Sequence, residues 1–87
     1  MYVIAVYDVA QERTAKMLKL CRRYLHWIQN SVFEGEITEA KLQQLIYEAR
    51  SLMDPETDSF IIFSSRHGHR LDKQIIGKEK NTTDNFL

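Results

Sequence analysis

The chain has 87 residues, enough for one domain, with twelve basic residues against twelve acidic ones and a single cysteine. A chain this short buries only about 60–65% of its extended surface on folding, which disfavours a sequestered catalytic cavity and points to a shallow site or one shared by two copies. Cys21 alone excludes an intramolecular disulfide or a multi-cysteine metal cage, and with no bilayer-length apolar run or signal-peptide pattern the expectation is a soluble cytoplasmic protein with no membrane contact.

The first predicted element is Tyr2-Val-Ile-Ala-Val-Tyr7, an unbroken apolar run rich in β-branched and aromatic side chains. That composition suits a buried central strand, closed by Asp8. Gln11 to about His26 reads as a helix, with Met17, Leu18, Cys21, Tyr24, Leu25 and Ile28 recurring at the spacing of one face. Lys16, Lys19, Arg23 and His26 fall on another face at steps of three or four. Ile28 to Glu36 suits a second strand, with Gly35 as a bulge or the start of a turn. Thr38 is placed to N-cap a second helix carrying Leu42, Leu45, Ile46, Ala49, Leu52 and Met53, and Asp54-Pro55 ends it. Ser59–Ser64 and Arg70–Ile76 read as a hairpin pair turning at His67-Gly-His69. Residues 1–77 then form the domain, and 78–87 a polar tail ending in Phe86 and Leu87. Four strands counted in this way give the order β-α-β-α-β-β, which does not by itself match the β-α-β-β-α-β of a ferredoxin-like domain.

The neutral total hides a polarised sequence. Arg13, Lys16, Lys19, Arg22 and Arg23 follow one another with no acidic residue between them. Glu34 to Asp58 then carries seven acidic residues against Lys41 and Arg50, and the stretch from Arg66 to Lys80 turns basic again. Such local fields govern which partners are attracted. A basic helix face suits phosphate contacts that give affinity without reading sequence, so Arg13, Lys16, Lys19 and Arg23 are the expected nucleic-acid contacts. The bland alternative is a solvated face. An acidic docking face for a basic partner is the matching guess for the second segment.

Asp8 closing strand one, and Gln29-Asn-Ser-Val-Phe-Glu-Gly35 after a basic helix, carry a likeness. From Met1 to about Ile76 the chain closely resembles the small CRISPR-associated Cas-two family. The resemblance implies an α+β, ferredoxin-like sandwich with two helices on one face of the sheet, and a symmetric homodimer. It also implies a role in acquiring new CRISPR spacers beside an integrase subunit, with DNA and also RNA as nucleic-acid partners. Family members are described as metal-dependent endonucleases as well. On that reading Asp8 of each protomer faces its twin and the pair holds one magnesium ion, with the C-terminal segment crossing to the partner's sheet.

Each sharp reading has a plain competitor. Magnesium takes hard oxygen ligands, so two Asp8 side chains related by symmetry would suffice where one would not; the alternative is a carboxylate at the start of helix one. Tyr7, Ser31 and Phe33 are the supporting residues: Ser31 could approach the metal through water, and Phe33 could stack on a base or simply pack. His67 and His69 lack the further ligands zinc needs and read as a turn. Two function classes follow: a DNA-holding subunit of the adaptation complex, and a magnesium-dependent phosphodiesterase.

Overall fold

The computed structural model describes residues 1–65 and 71–80. Seven elements follow in chain order: β1 (Tyr2–Asp8), α1 (Gln11–Arg22), β2 (His26–Gln29), β3 (Val32–Glu36), α2 (Glu39–Leu52), β4 (Ser59–Ser65) and β5 (Leu71–Gly77). They form one five-stranded sheet in the order β2-β3-β1-β4-β5, and every neighbouring pair is antiparallel. The first six elements are the β-α-β-β-α-β unit of a ferredoxin-like domain, and β5 is added outside β4.

The strand expected over Ile28 to Glu36 is therefore two strands. Asn30 adopts a left-handed backbone, φ 45°, and Gln29 pairs with Val32 across a two-residue turn. Asparagine tolerates that conformation better than most residues because its short side chain bonds locally. The split removes the mismatch in element order. It also shortens α1, which ends at Arg22 rather than His26, because the chain must turn through Arg23–Leu25 to enter β2. Gly35 is not a bulge: it sits in regular register opposite Val3, and the irregularity lies in β2, between Trp27 and Gln29.

Alternation along β1 sets the two faces of the sheet. Val3, Ala5 and Tyr7 point into the core, while Tyr2, Ile4 and Asp8 are exposed on the other side. Phe33 of β3 and Phe60 and Ile62 of β4 join the core face. Both helices cover that face, α1 with Met17, Leu20 and Cys21, and α2 with Leu42, Leu45, Ile46 and Ala49. Each large apolar side chain buried there contributes about 1.5–3 kcal/mol. Thr38 caps α2 as expected, its hydroxyl accepting the Lys41 N–H at 3.1 Å. Among the described residues no helix is long and apolar enough to cross a membrane.

The second face of the sheet carries no helix. Its central rows run Val32–Val6–Ile61–Ile75 and Glu34–Ile4–Phe63–Lys73 across β3, β1, β4 and β5. Val6, Ile61, Phe63 and Ile75 are half-buried and Ile4 is exposed. These side chains form an apolar strip across the uncovered face, bounded by Glu34 and Lys73.

Candidate nucleic-acid interface and the Asp8 rim

Asp8 ends β1 on the uncovered side of the sheet, opposite Ser59 of β4. Its side chain is 72% exposed, and Lys80 reaches it from beyond β5. The Lys80 ammonium lies 3.2 Å from Asp8 Oδ2 and donates to the Asp8 main-chain carbonyl at 3.2 Å. Asp8 borders an open depression of about 340 Å³ lined also by Tyr7, Val9, Thr14, Asn30 and Ser31. So Asp8, Tyr7 and Ser31 are brought together, Ser31 through a carbonyl that accepts the Tyr7 N–H at 3.2 Å.

Tyr7 and Phe33 themselves belong to the core. Their rings stack at 5.8 Å and 29°, and Phe33 is fully buried, so no base can reach it. Burial raises the Tyr7 hydroxyl above the ordinary tyrosine value. Cys21 is likewise enclosed, and burial pushes its thiol up to about 12, which leaves it inert as a nucleophile.

Asp8 does not cap α1. That task falls to Asp58, a residue no sequence pattern singled out. Ala10 at the N-cap has no capping side chain, and its N–H donates to Asp58 Oδ1 at 2.9 Å. Asp58 is completely buried just before β4 and also accepts from Arg13 Nε at 2.5 Å, the Asp54 N–H at 2.9 Å and the Thr57 hydroxyl at 3.2 Å. With the Arg13 guanidinium foremost among these donors, its carboxyl is held far below the usual range. The cluster thus pins the start of α1, the turn after α2 and the start of β4 to one another.

The four basic residues expected to meet nucleic acid therefore fall into two kinds. Arg13 is engaged by Asp58, and Arg23 donates to both carboxylate oxygens of Glu48 on α2 at 2.7 and 2.9 Å. The Tyr24 hydroxyl donates to Glu48 too, and together Tyr24 and Arg23 hold that carboxyl below its ordinary value. Lys16 and Lys19 are exposed and have no ion-pair partner among the described residues. They line one shallow groove with Arg23 and Glu48, along the seam of the two helices. The acidic segment does not form one face. Glu34 lies on the uncovered side of the sheet, Glu48 is on α2 and Asp58 is inside.

Among the described residues no group of three or more His, Cys, Asp or Glu is placed to hold a metal ion. One protomer offers the Asp8 carboxylate and little more, which fits half of a two-fold magnesium site, since that ion sits on one or two carboxylates and keeps water for its other ligands. His67, His69, Phe86 and Leu87 lie outside the described residues.

Residues 1–72 match the family model for CRISPR associated protein Cas2. A CRISPR-associated endoribonuclease Cas2 of Dictyoglomus turgidum is 49% identical over 87 residues, covering the whole of both chains. That of Fusobacterium nucleatum is 45% identical over 92 residues, covering 100% of this chain and 87% of the other. A Cas2 crystal structure superposes with TM-score 0.73 at 39% identity, covering 97% of this chain and 94% of that one. The Streptococcus pyogenes Cas2 structure gives 0.69 at 32% identity, over 76% and 87% of the two chains. With the split hairpin, the uncovered sheet and an exposed aspartate ending β1, the chain belongs to the CRISPR associated protein Cas2 family.

Proposed function

We propose that this protein is a nucleic-acid-binding, homodimeric subunit of the CRISPR adaptation complex, holding DNA beside an integrase subunit in the cytoplasm. The observation that carries the reading is the pairing of two surfaces on one small domain. One is the apolar sheet face with Val6, Ile61, Phe63 and Ile75, which a second copy would cover. The other is the outward face of α1, where Lys16 and Lys19 carry uncommitted charge. Their ammonium groups meet phosphates, while Arg13 and Arg23 add field from positions fixed by Asp58 and Glu48. Residues 1–77 make the domain.

The exposure of Asp8 favours a second reading, an endonuclease acting on single-stranded RNA or duplex DNA. Pairing two protomers through the uncovered sheet would bring the two Asp8 rims toward one axis. Magnesium bound there would neutralise charge building on the phosphate and activate water. Asp8 is the residue of this chain that would hold it, Ser31 and Tyr7 shape the depression beside it, and Phe33 supports Tyr7 from within.

Labelled duplex DNA and single-stranded RNA, each with magnesium or with chelator, separate the two. The DNA-holding reading expects duplex binding that weakens steeply with salt, is lost in Lys16→Glu/Lys19→Glu and is unchanged in Asp8→Asn. Duplex affinity indifferent to both salt and those lysines would sink it. Cleavage that needs both magnesium and Asp8 would establish the nuclease.

A further inference from the structure

Trp27 is the one tryptophan of the chain, and it is not used in the core. It stands on β2, the edge of the sheet, where all four residues are exposed, and 49% of its own surface is open to solvent. Yet the ring is held. Its Nε1–H donates to the Asn30 carbonyl at 2.9 Å, tying the indole to the turn that the left-handed Asn30 creates. The guanidinium of Arg22, the last residue of α1, lies 5.7 Å from the ring centroid. A large aromatic surface is thus fixed in place next to a cation.

From this geometry we infer that Trp27 is a stacking platform for an unpaired nucleobase of a single-stranded nucleic acid, with Arg22 supplying charge to the adjoining phosphate. Every base has a π-face, so such a platform accepts any sequence, and fixing the ring beforehand lowers the ordering cost of binding. The cation beside the ring favours a polyanion over an apolar protein surface. The register irregularity between Trp27 and Gln29 also spoils this edge as a template for an added strand from a protein partner. Other aromatic rings fit the role less well: Tyr7 and Phe33 are enclosed, and Tyr47 of α2, though 73% exposed, has no cation over its ring among the described residues. The inference rests on the nucleic-acid-binding reading and adds to it a contact for unpaired ends or flanks, at the C-terminal end of the α1 helix that carries the lysines.

Because Trp27 is the only indole, its fluorescence reports the site directly. Wild-type protein is titrated with a short oligo-dT strand and with a blunt duplex, and affinities are repeated for Trp27→Ala, Trp27→Phe and Arg22→Gln. Oligo-dT is expected to quench the emission strongly and the blunt duplex to leave it nearly unchanged. Trp27→Ala should weaken single-strand binding about tenfold or more, with Trp27→Phe keeping most of it and duplex affinity unmoved. Should Trp27→Ala fail to fold, the wild-type quench with Trp27→Phe and Arg22→Gln decides. Duplex binding that persists while oligo-dT neither quenches nor loses affinity in the variants overturns the platform alone. Loss of all duplex binding by wild type overturns the underlying reading instead. An emission change caused by a purified partner protein but not by oligo-dT would reassign the site to a protein contact.

Discussion

Two aspartates sit at the same end of the β1–β4 pair, and they are used in opposite ways. Asp8 ends β1 opposite Ser59, and Asp58 is the residue just before Ser59. Asp58 is sealed and surrounded by main-chain and side-chain donors from the start of α1 and the turn after α2, whereas Asp8 stands in solvent with one ammonium beside it. A buried carboxylate must be fully paired or it destabilises the fold, so Asp58 is committed to architecture. An exposed one costs little to leave open, so Asp8 remains available to a cation or a partner. The same functional group is thus built into the architecture on one side of the sheet and left open to solvent on the other.

The comparison can be broken by mutation, most strongly at Asp58. Asp58→Ala strands the Arg13 guanidinium and leaves the Ala10 and Asp54 N–H groups without their acceptor; it should cost about 3–5 kcal/mol in chemical denaturation. Its pH dependence has a definite sign. The folded-state pKa is depressed, so the unfolded chain binds the proton more readily, and this stabilisation is present above about pH 4 and lost as pH falls toward the folded value. Asp58→Asn should therefore flatten the fall in stability below about pH 4, and an unchanged acid limb would show that Asp58 is not its source.

Gly77 tests the same junction from the other side. Its φ of +86° and the Asp58 carbonyl, which would lie 2.3 Å from an added Cβ, leave no room for a side chain. The Lys78 N–H donates to that carbonyl at 2.7 Å, so Gly77→Ala must displace either the strand end or the Asp58 loop. A loss of about 1–3 kcal/mol is expected, read as a lower thermal midpoint. The smallest effect belongs to Asp8. Asp8→Asn removes only an exposed contact with Lys80 and should change stability by less than about 0.5 kcal/mol. A large destabilisation there would mean that Asp8 is structural after all, and the contrast with Asp58 would fail.

Much of the fold was legible from local pattern. The apolar run of β1, the Thr38 cap and the buried face of α2 depend on neighbours in sequence, and each is found where expected. The hairpin at Asn30-Ser31 was not read, because an apolar-polar alternation on both sides masks a two-residue turn; the asparagine there was the available signal. Asp58 was beyond reach for a different reason. Its partner Arg13 is 45 residues away, and nothing in composition tells which of seven acidic residues is enclosed. The same long-range pairing is why Arg13 and Arg23 looked equivalent to Lys16 and Lys19 in the sequence and are not in the structure. Trp27 fell between the helix expected to about His26 and the strand expected from Ile28, and its place on the sheet edge emerges only once β2 is seen to begin at His26.

The position of β1 at the middle of the sheet has a consequence for how the chain is made. Its first partner, β3, is complete by residue 36, but its second, β4, spans Ser59 to Ser65, with Tyr2 pairing to Ser65 at the far end. During synthesis from the N-terminus the most apolar strand therefore waits with one edge open while some thirty more residues leave the ribosome, on the order of a few seconds at ordinary elongation rates. An exposed apolar strand edge is the feature through which nascent chains stick to one another. Output of correctly folded protein should therefore depend on how quickly the segment from Ile37 to Ser65 is translated. Slow codons placed there would do more harm than the same codons placed in β1 itself.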